Sequence, residues 1–120
     1  MSKTATSVFV FGVYLIFLGL GFLILPNTLL PLFGLPTTSE VWIRVMAMLL
    51  LLLAYYYIRT ARQEVTFVFR LTVHARAAVI VFFVAFALLG LGPWILVLFG
   101  AIDLLAALWT AWALRADSQP

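Results

Sequence analysis

The stretch "SVFVFGVYLIFLGLGFLIL", Ser7 to Leu25, carries no charged residue from end to end. A hydrocarbon core about 30 Å thick takes roughly 20 such residues as one helix, so the segment reads as a membrane span. It is longer than the roughly 7–15 apolar residues of a cleaved leader, and no A-x-A site follows it. It is expected to stay in the protein as a first span.

Composition extends that reading to the whole chain. Of 120 residues, 67% are hydrophobic and 9% charged, with mean hydropathy +1.24. A soluble domain carries about 25% charged residues, so this chain could not cover a water-facing surface. An all-α integral membrane protein of one domain is expected. After the first span at about 7–25, three more segments qualify, at about 38–59, 67–89 and 93–114. The chain has no cysteine, which removes disulfides, thiolate metal sites and thiol redox chemistry.

The breaks between spans have local causes. "LPNTLLPLFGLPTT" places Pro26, Pro31 and Pro36 at intervals that a helix interior does not tolerate, and this apolar connector is expected at the interface or dipping into the bundle mouth. "TTSE" offers a capping box with Thr37 at the N-cap and Glu40 three residues on. "GLGP", Gly90 to Pro93, reads as a tight turn with a proline suited to a first helical turn.

The cations then orient the chain. Lys3 precedes span one, Arg59, Arg62, Arg70 and Arg76 surround the link between spans two and three, and Arg115 follows span four. The other side holds only Arg44, near Glu40. The excess of positive charge on cytoplasmic loops places both termini and the middle link in the cytoplasm of a cell whose inner membrane the chain crosses. Trp42 and Trp94 mark the outer interface, and Tyr55, Tyr56, Tyr57, Trp109 and Trp112 the inner one. Small residues recur at seven-residue spacing: Gly12 and Gly19, Ala47 and Ala54, Ala78 and Ala85, Gly100 and Ala107. That repeat suits left-handed, near-antiparallel packing, and the expected product is an antiparallel up-down-up-down four-helix transmembrane bundle.

Few polar groups remain inside it. Asp103 interrupts "FGAIDLLAALWTAW" near mid-membrane, on a strip with Gly100, Ala107 and Thr110. Ionised and lipid-facing, it would cost at least about 2.5–3.5 kcal/mol, so it must be protonated, paired or open to a cavity. Arg44 is the other charge clearly within a span. Both side chains lean toward their helix N-termini, which makes an Arg44–Glu40 pair easier than an Arg44–Asp103 pair, with a chain of all three open if spans two and four touch. Tyr14, on a face with Gly21, is a further candidate partner for Asp103. The candidate polar site is therefore Asp103, Arg44, Glu40, Tyr14 and Thr110; its structural alternative is an interhelical clamp. Arg59, Arg62, Arg70, His74 and Arg76 are candidate contacts for anionic lipid head groups.

Recognisable chemistry is missing. A lone histidine cannot supply both axial ligands of a b-type haem, zinc would need three or four ligands, and no nucleophile elbow, zinc-protease helix, phosphate loop or carboxylate pair is present. The basic residues flank apolar spans instead of clustering on a soluble face, which argues against nucleic acid. The expectation is a protein that is not an enzyme, has no cofactor, and meets membrane lipids together with copies of itself or a larger membrane complex.

The segments "PTTSEVWIRVMAMLLLLLAYYYIRTAR", "FVFRLTVHAR" and "LFGAIDLLAALWTAWAL" resemble the small bacterial four-span proteins grouped as DoxX-like and BphX-like. The resemblance covers spans two to four and rests on an acidic residue and an Arg at the start of span two, a basic inner link and Asp103. It implies a four-helix membrane fold and, for some members, association with respiratory or thiol-redox complexes, a thiol role for which this chain has no residue. Two functions compete. One is a non-catalytic membrane subunit that associates with itself or a partner and encloses a lipid-like ligand. The other is a small dimeric proton-coupled transporter using Asp103. The small multidrug resistance proteins match the chain in length and span count, yet place their essential glutamate in span one, where this chain has no acid.

Overall fold

The computed structural model describes residues 1–118. All its regular structure is helical: α1 (Lys3–Ile24), α2 (Pro26–Leu32), α3 (Trp42–Arg62), α4 (Thr66–Leu88) and α5 (Ile95–Ser118). Helices α1, α3, α4 and α5 are long and apolar enough to cross a membrane. These properties fit a multi-pass membrane protein.

The helix ends depart from the expected spans for identifiable reasons. Helix α1 starts at Lys3 because Ser2 caps it, its hydroxyl accepting from the Ala5 N–H at 3.0 Å. The Thr37–Glu40 capping box does not form. The Thr38 hydroxyl accepts from the Glu40 N–H at 3.0 Å and the Thr38 N–H donates to Asn27 Oδ1 at 2.9 Å, so these residues pin the connector and α3 begins only at Trp42. The prolines do not keep the connector irregular. Pro26 opens α2 and Pro31 lies inside it, tolerated because a helix this short loses only one bond to the missing N–H. Leu30 of α2 is buried, so the connector does dip into the bundle mouth.

Three helices end the same way. Gly34 after α2, Glu64 after α3 and Gly90 after α4 have φ of 71°, 53° and 73°. In each case the next amide donates five residues back, Leu35 to Leu30, Val65 to Thr60 and Leu91 to Phe86, at 2.9, 3.2 and 2.8 Å. These are Schellman turns, in which the left-handed residue is usually glycine. A glutamate at Glu64 is therefore conspicuous.

Helices α1 and α3 make the most extensive pair. A Cβ on Gly12 would meet Tyr57 and the Ala54 carbonyl, and one on Gly19 would meet Leu51 and the Ala47 carbonyl. As the number rises along α1 it falls along α3, so the two run in opposite directions. Ala5, Ala47, Ala54 and Ala61 are fully buried, in keeping with a seam of small residues. Helix α5 packs on α4, where Gly100 sits against the Ile80 backbone, and also on α1. Helices α3 and α4, by contrast, barely touch. The gap between them opens the site.

Candidate functional site

An apolar cavity of about 210 Å³ fills the space between α3 and α4. Met46 and Leu50 line it from α3 and Val79 and Phe83 from α4. Leu15 and Phe22 of α1 and Phe99 of α5 form its back, and Leu30 and Phe33 close the α2 end. Its polar lining is Asp103 and the half-buried Tyr14. Asp103 lies eight residues into α5 and its side chain leans toward the helix start. This lean turns the carboxylate into the cavity, toward the level of Phe99. Asp103 of α5 and Tyr14 of α1, read from the sequence as candidate partners, thus both line the cavity, with no hydrogen bond between them.

The rest of the expected site is arranged differently. Arg44 is exposed and its Nε donates to the Leu23 carbonyl at 3.0 Å, capping the end of α1. Glu40 is exposed and precedes α3, so the one-turn helical relation that would pair it with Arg44 does not exist. Thr110 is fully buried but lies away from the cavity. Its hydroxyl shares a 2.7 Å hydrogen bond with Ser7 of α1 and accepts from Arg76 of α4 at 2.8 Å.

Arg76 is the largest correction. Expected at lipid head groups, it is only 2% exposed and points into the bundle. Its Nε donates to the Thr72 carbonyl and its Nη2 to the Thr72 hydroxyl, both at 3.1 Å. The rings of Phe11 and Tyr57 lie 4.9 and 5.7 Å from the guanidinium carbon, in the range of cation–π attraction. Nη1 is buried without a hydrogen-bond partner. Arg76 sits ten residues into α4, about 15 Å from its start, too deep for an easy reach to head groups. That depth was the available signal. Arg59, Arg62, Arg70 and His74 are all exposed.

Two further acids, missed by the sequence reading, gather the ends of the helices. Glu64 accepts from the Ser2 N–H at 2.6 Å and the Ser2 hydroxyl at 2.7 Å. Asp117 accepts from the Thr4 N–H at 2.8 Å and the Thr4 hydroxyl at 2.7 Å. The start of α1, the α3–α4 turn and the end of α5 therefore meet at one end of the molecule. Both carboxylates face the free amides and positive dipole end of α1. The Ser2 amide and then its hydroxyl hold the Glu64 carboxyl below the usual carboxylate range. Ser7, Thr110 and Arg76 connect this end to the interior, because the Ser7 hydroxyl also donates to the Thr4 carbonyl at 2.7 Å.

No family model matches the chain, and neither a curated protein sequence nor a solved structure matches it.

Proposed function

We propose that the chain is a multi-pass protein of a bacterial inner membrane, its spans running up-down-up-down with both termini in the cytoplasm. It works without catalytic machinery, as a self-associating or partner-associated subunit that holds a lipid-like molecule between α3 and α4. Lys3, Arg59, Arg62, Arg70 and Arg115 support the orientation. The hydrogen bonds that bring Ser2, Glu64 and Asp117 to one end support the threading. The likeness to DoxX-like and BphX-like proteins belongs to the same proposal.

The carrying observation is an apolar cavity between α3 and α4 with Asp103 in its lining. The second reading, a small dimeric proton-coupled transporter, is favoured by the hydrogen-bonded run from Arg76 through Thr110, Ser7 and Thr4 to Asp117, which begins on the helices that flank Asp103. A guanidinium in that run is not deprotonated in proteins, and a fixed cation in a pore excludes protons and other cations. Arg76 therefore weighs for holding over transport.

Lipid extracted from the purified protein tests the holding reading. Wild type is expected to retain about one molecule per chain through delipidation, and Val79→Trp, which fills the cavity, to lose it. Equal retention by both would count against a ligand in this cavity. Proteoliposomes carrying a pH-sensitive dye test the rival reading. Proton flux that Asp103→Asn abolishes would replace holding with transport.

A further inference from the structure

We infer that the molecule held between α3 and α4 ends in an uncharged hydroxyl, as in a long-chain alcohol or an alkylphenol, with that hydroxyl donating to Asp103. The inference rests on the holding function proposed above and names the chemical class of its ligand.

Charge balance carries the choice of head group. Arg76 is a cation 2% exposed, and its hydrogen bonds go to Thr72 and Thr110, not to a carboxylate. A buried charge with no compensating charge is strongly unfavourable. Gly100 of α5 packs on Ile80 of α4 and Thr110 of α5 accepts from Arg76 of α4, so Asp103, between Gly100 and Thr110, is the acid that stands at the depth of Arg76 on the adjoining helix, and its carboxylate is the counter-charge. The two side chains lean apart, Arg76 toward Thr72 and Asp103 into the cavity, because each follows the N-terminal tilt of its own helix. The pair is therefore balanced in charge while Asp103 keeps acceptor capacity on the cavity side.

Each class of head group meets that arrangement differently. An ammonium would satisfy Asp103 and leave the charge of Arg76 uncompensated. A carboxylate or phosphate would meet Asp103 at close range in an apolar enclosure. A hydroxyl donates to the acid without disturbing the balance, and the Tyr14 phenol, also in the lining, supplies a second polar group. The size agrees. About 210 Å³ is less than the roughly 300–1,000 Å³ that enclose a drug-sized molecule. It takes a head and the first carbons of a chain, whose remainder leaves between α3 and α4 past Met46, 39% exposed at the rim.

Octylphenol, octylamine and octanoate share one chain and differ in head, so they form the test. Each is titrated into the full-length protein in lipid nanodiscs, with the saturable rise in Tm as readout and Val79→Trp as the cavity-filled control. Octylphenol is expected to bind saturably in wild type only, and the amine and carboxylate at least about tenfold more weakly. If octylamine or octanoate matches octylphenol and Val79→Trp abolishes binding, the cavity holds ligands and the hydroxyl inference is overturned. If no probe distinguishes wild type from Val79→Trp, the holding function falls as well. Arg76→Gln removes the balancing cation and is expected to move the preference toward octylamine. An unchanged order in folded Arg76→Gln overturns the charge argument; should that variant not fold, the wild-type series decides alone.

Discussion

Arg76 of α4 and Thr110 of α5 are joined by a 2.8 Å hydrogen bond from Nη2 to Oγ1, and the same hydroxyl shares a 2.7 Å bond with Ser7 of α1. One threonine thus links three spans. Its removal is testable because valine keeps its shape. Thr110→Val takes away the acceptor for Arg76 and the partner of Ser7. In membrane proteins such bonds contribute about 0.6 kcal/mol on average and up to about 1.7. Thr110→Val is expected to lower stability by about 1–2 kcal/mol in a detergent-unfolding titration, and Thr110→Ser to restore most of it. Equal stability of Thr110→Val and wild type would show that the link contributes nothing.

Glu64 sets two effects against each other at one position. Its φ of 53° is left-handed, where a side chain costs about 1–2 kcal/mol, while its carboxylate clamps Ser2. Glu64→Gly loses the clamp and relieves the backbone, whereas Glu64→Ala loses the clamp and keeps the strain. Glu64→Gly is expected to be the more stable variant by about 1 kcal/mol. The opposite ranking in thermal unfolding would remove strain from the account of this turn.

The same clamp predicts a pH dependence. The Glu64 carboxyl titrates lower in the folded chain than in the unfolded one, because the Ser2 amide and hydroxyl stabilise its ionised form. The unfolded state then binds more protons across that interval. The clamp's stabilisation is fully present above the ordinary Glu value of about 4.3 and is lost as pH falls through the depressed folded value. Wild type is expected to lose Tm faster than Glu64→Gln on acidification below about pH 5. Parallel curves for the two proteins would contradict it.

Much of the architecture was readable in advance because lipid demands long apolar runs and small contact residues. Gly12, Gly19, Ala47 and Ala54 were picked out by spacing alone, and they lie on the α1–α3 seam. Asp103 and Tyr14 were readable for a similar reason, since few polar groups interrupt those runs. Arg76 was misplaced although its depth was legible: the span expected at about 67–89 already set it some nine residues in, and the cations of the inner link beside it in sequence drew it to the head groups instead. Thr110 shares a helical strip with Asp103, but a strip on one helix does not say which neighbour faces each turn. The Glu64 clamp hid behind a backbone conformation that normally announces itself with glycine.

The close approaches at glycine differ in kind, which ranks their substitutions. A Cβ at Gly100 would stand 2.8 Å from the Ile80 Cα, part of the α4 backbone. Backbone cannot step aside without moving the helix, so Gly100→Ala forces α5 away from α4. At Gly21 the added carbon would meet only the Leu29 Cδ1, at 2.7 Å, the far end of a side chain that can change rotamer. Overpacking of a fixed contact costs about 1–3 kcal/mol. Gly100→Ala is expected to lose stability in that range, with Gly21→Ala close to wild type in the same unfolding titration. Because Phe99 and Asp103 flank Gly100 on α5 and Val79 flanks Ile80 on α4, Gly100→Ala should also weaken octylphenol binding. A stable Gly100→Ala protein with unaltered binding would mean that the α4–α5 contact does not set the shape of the cavity.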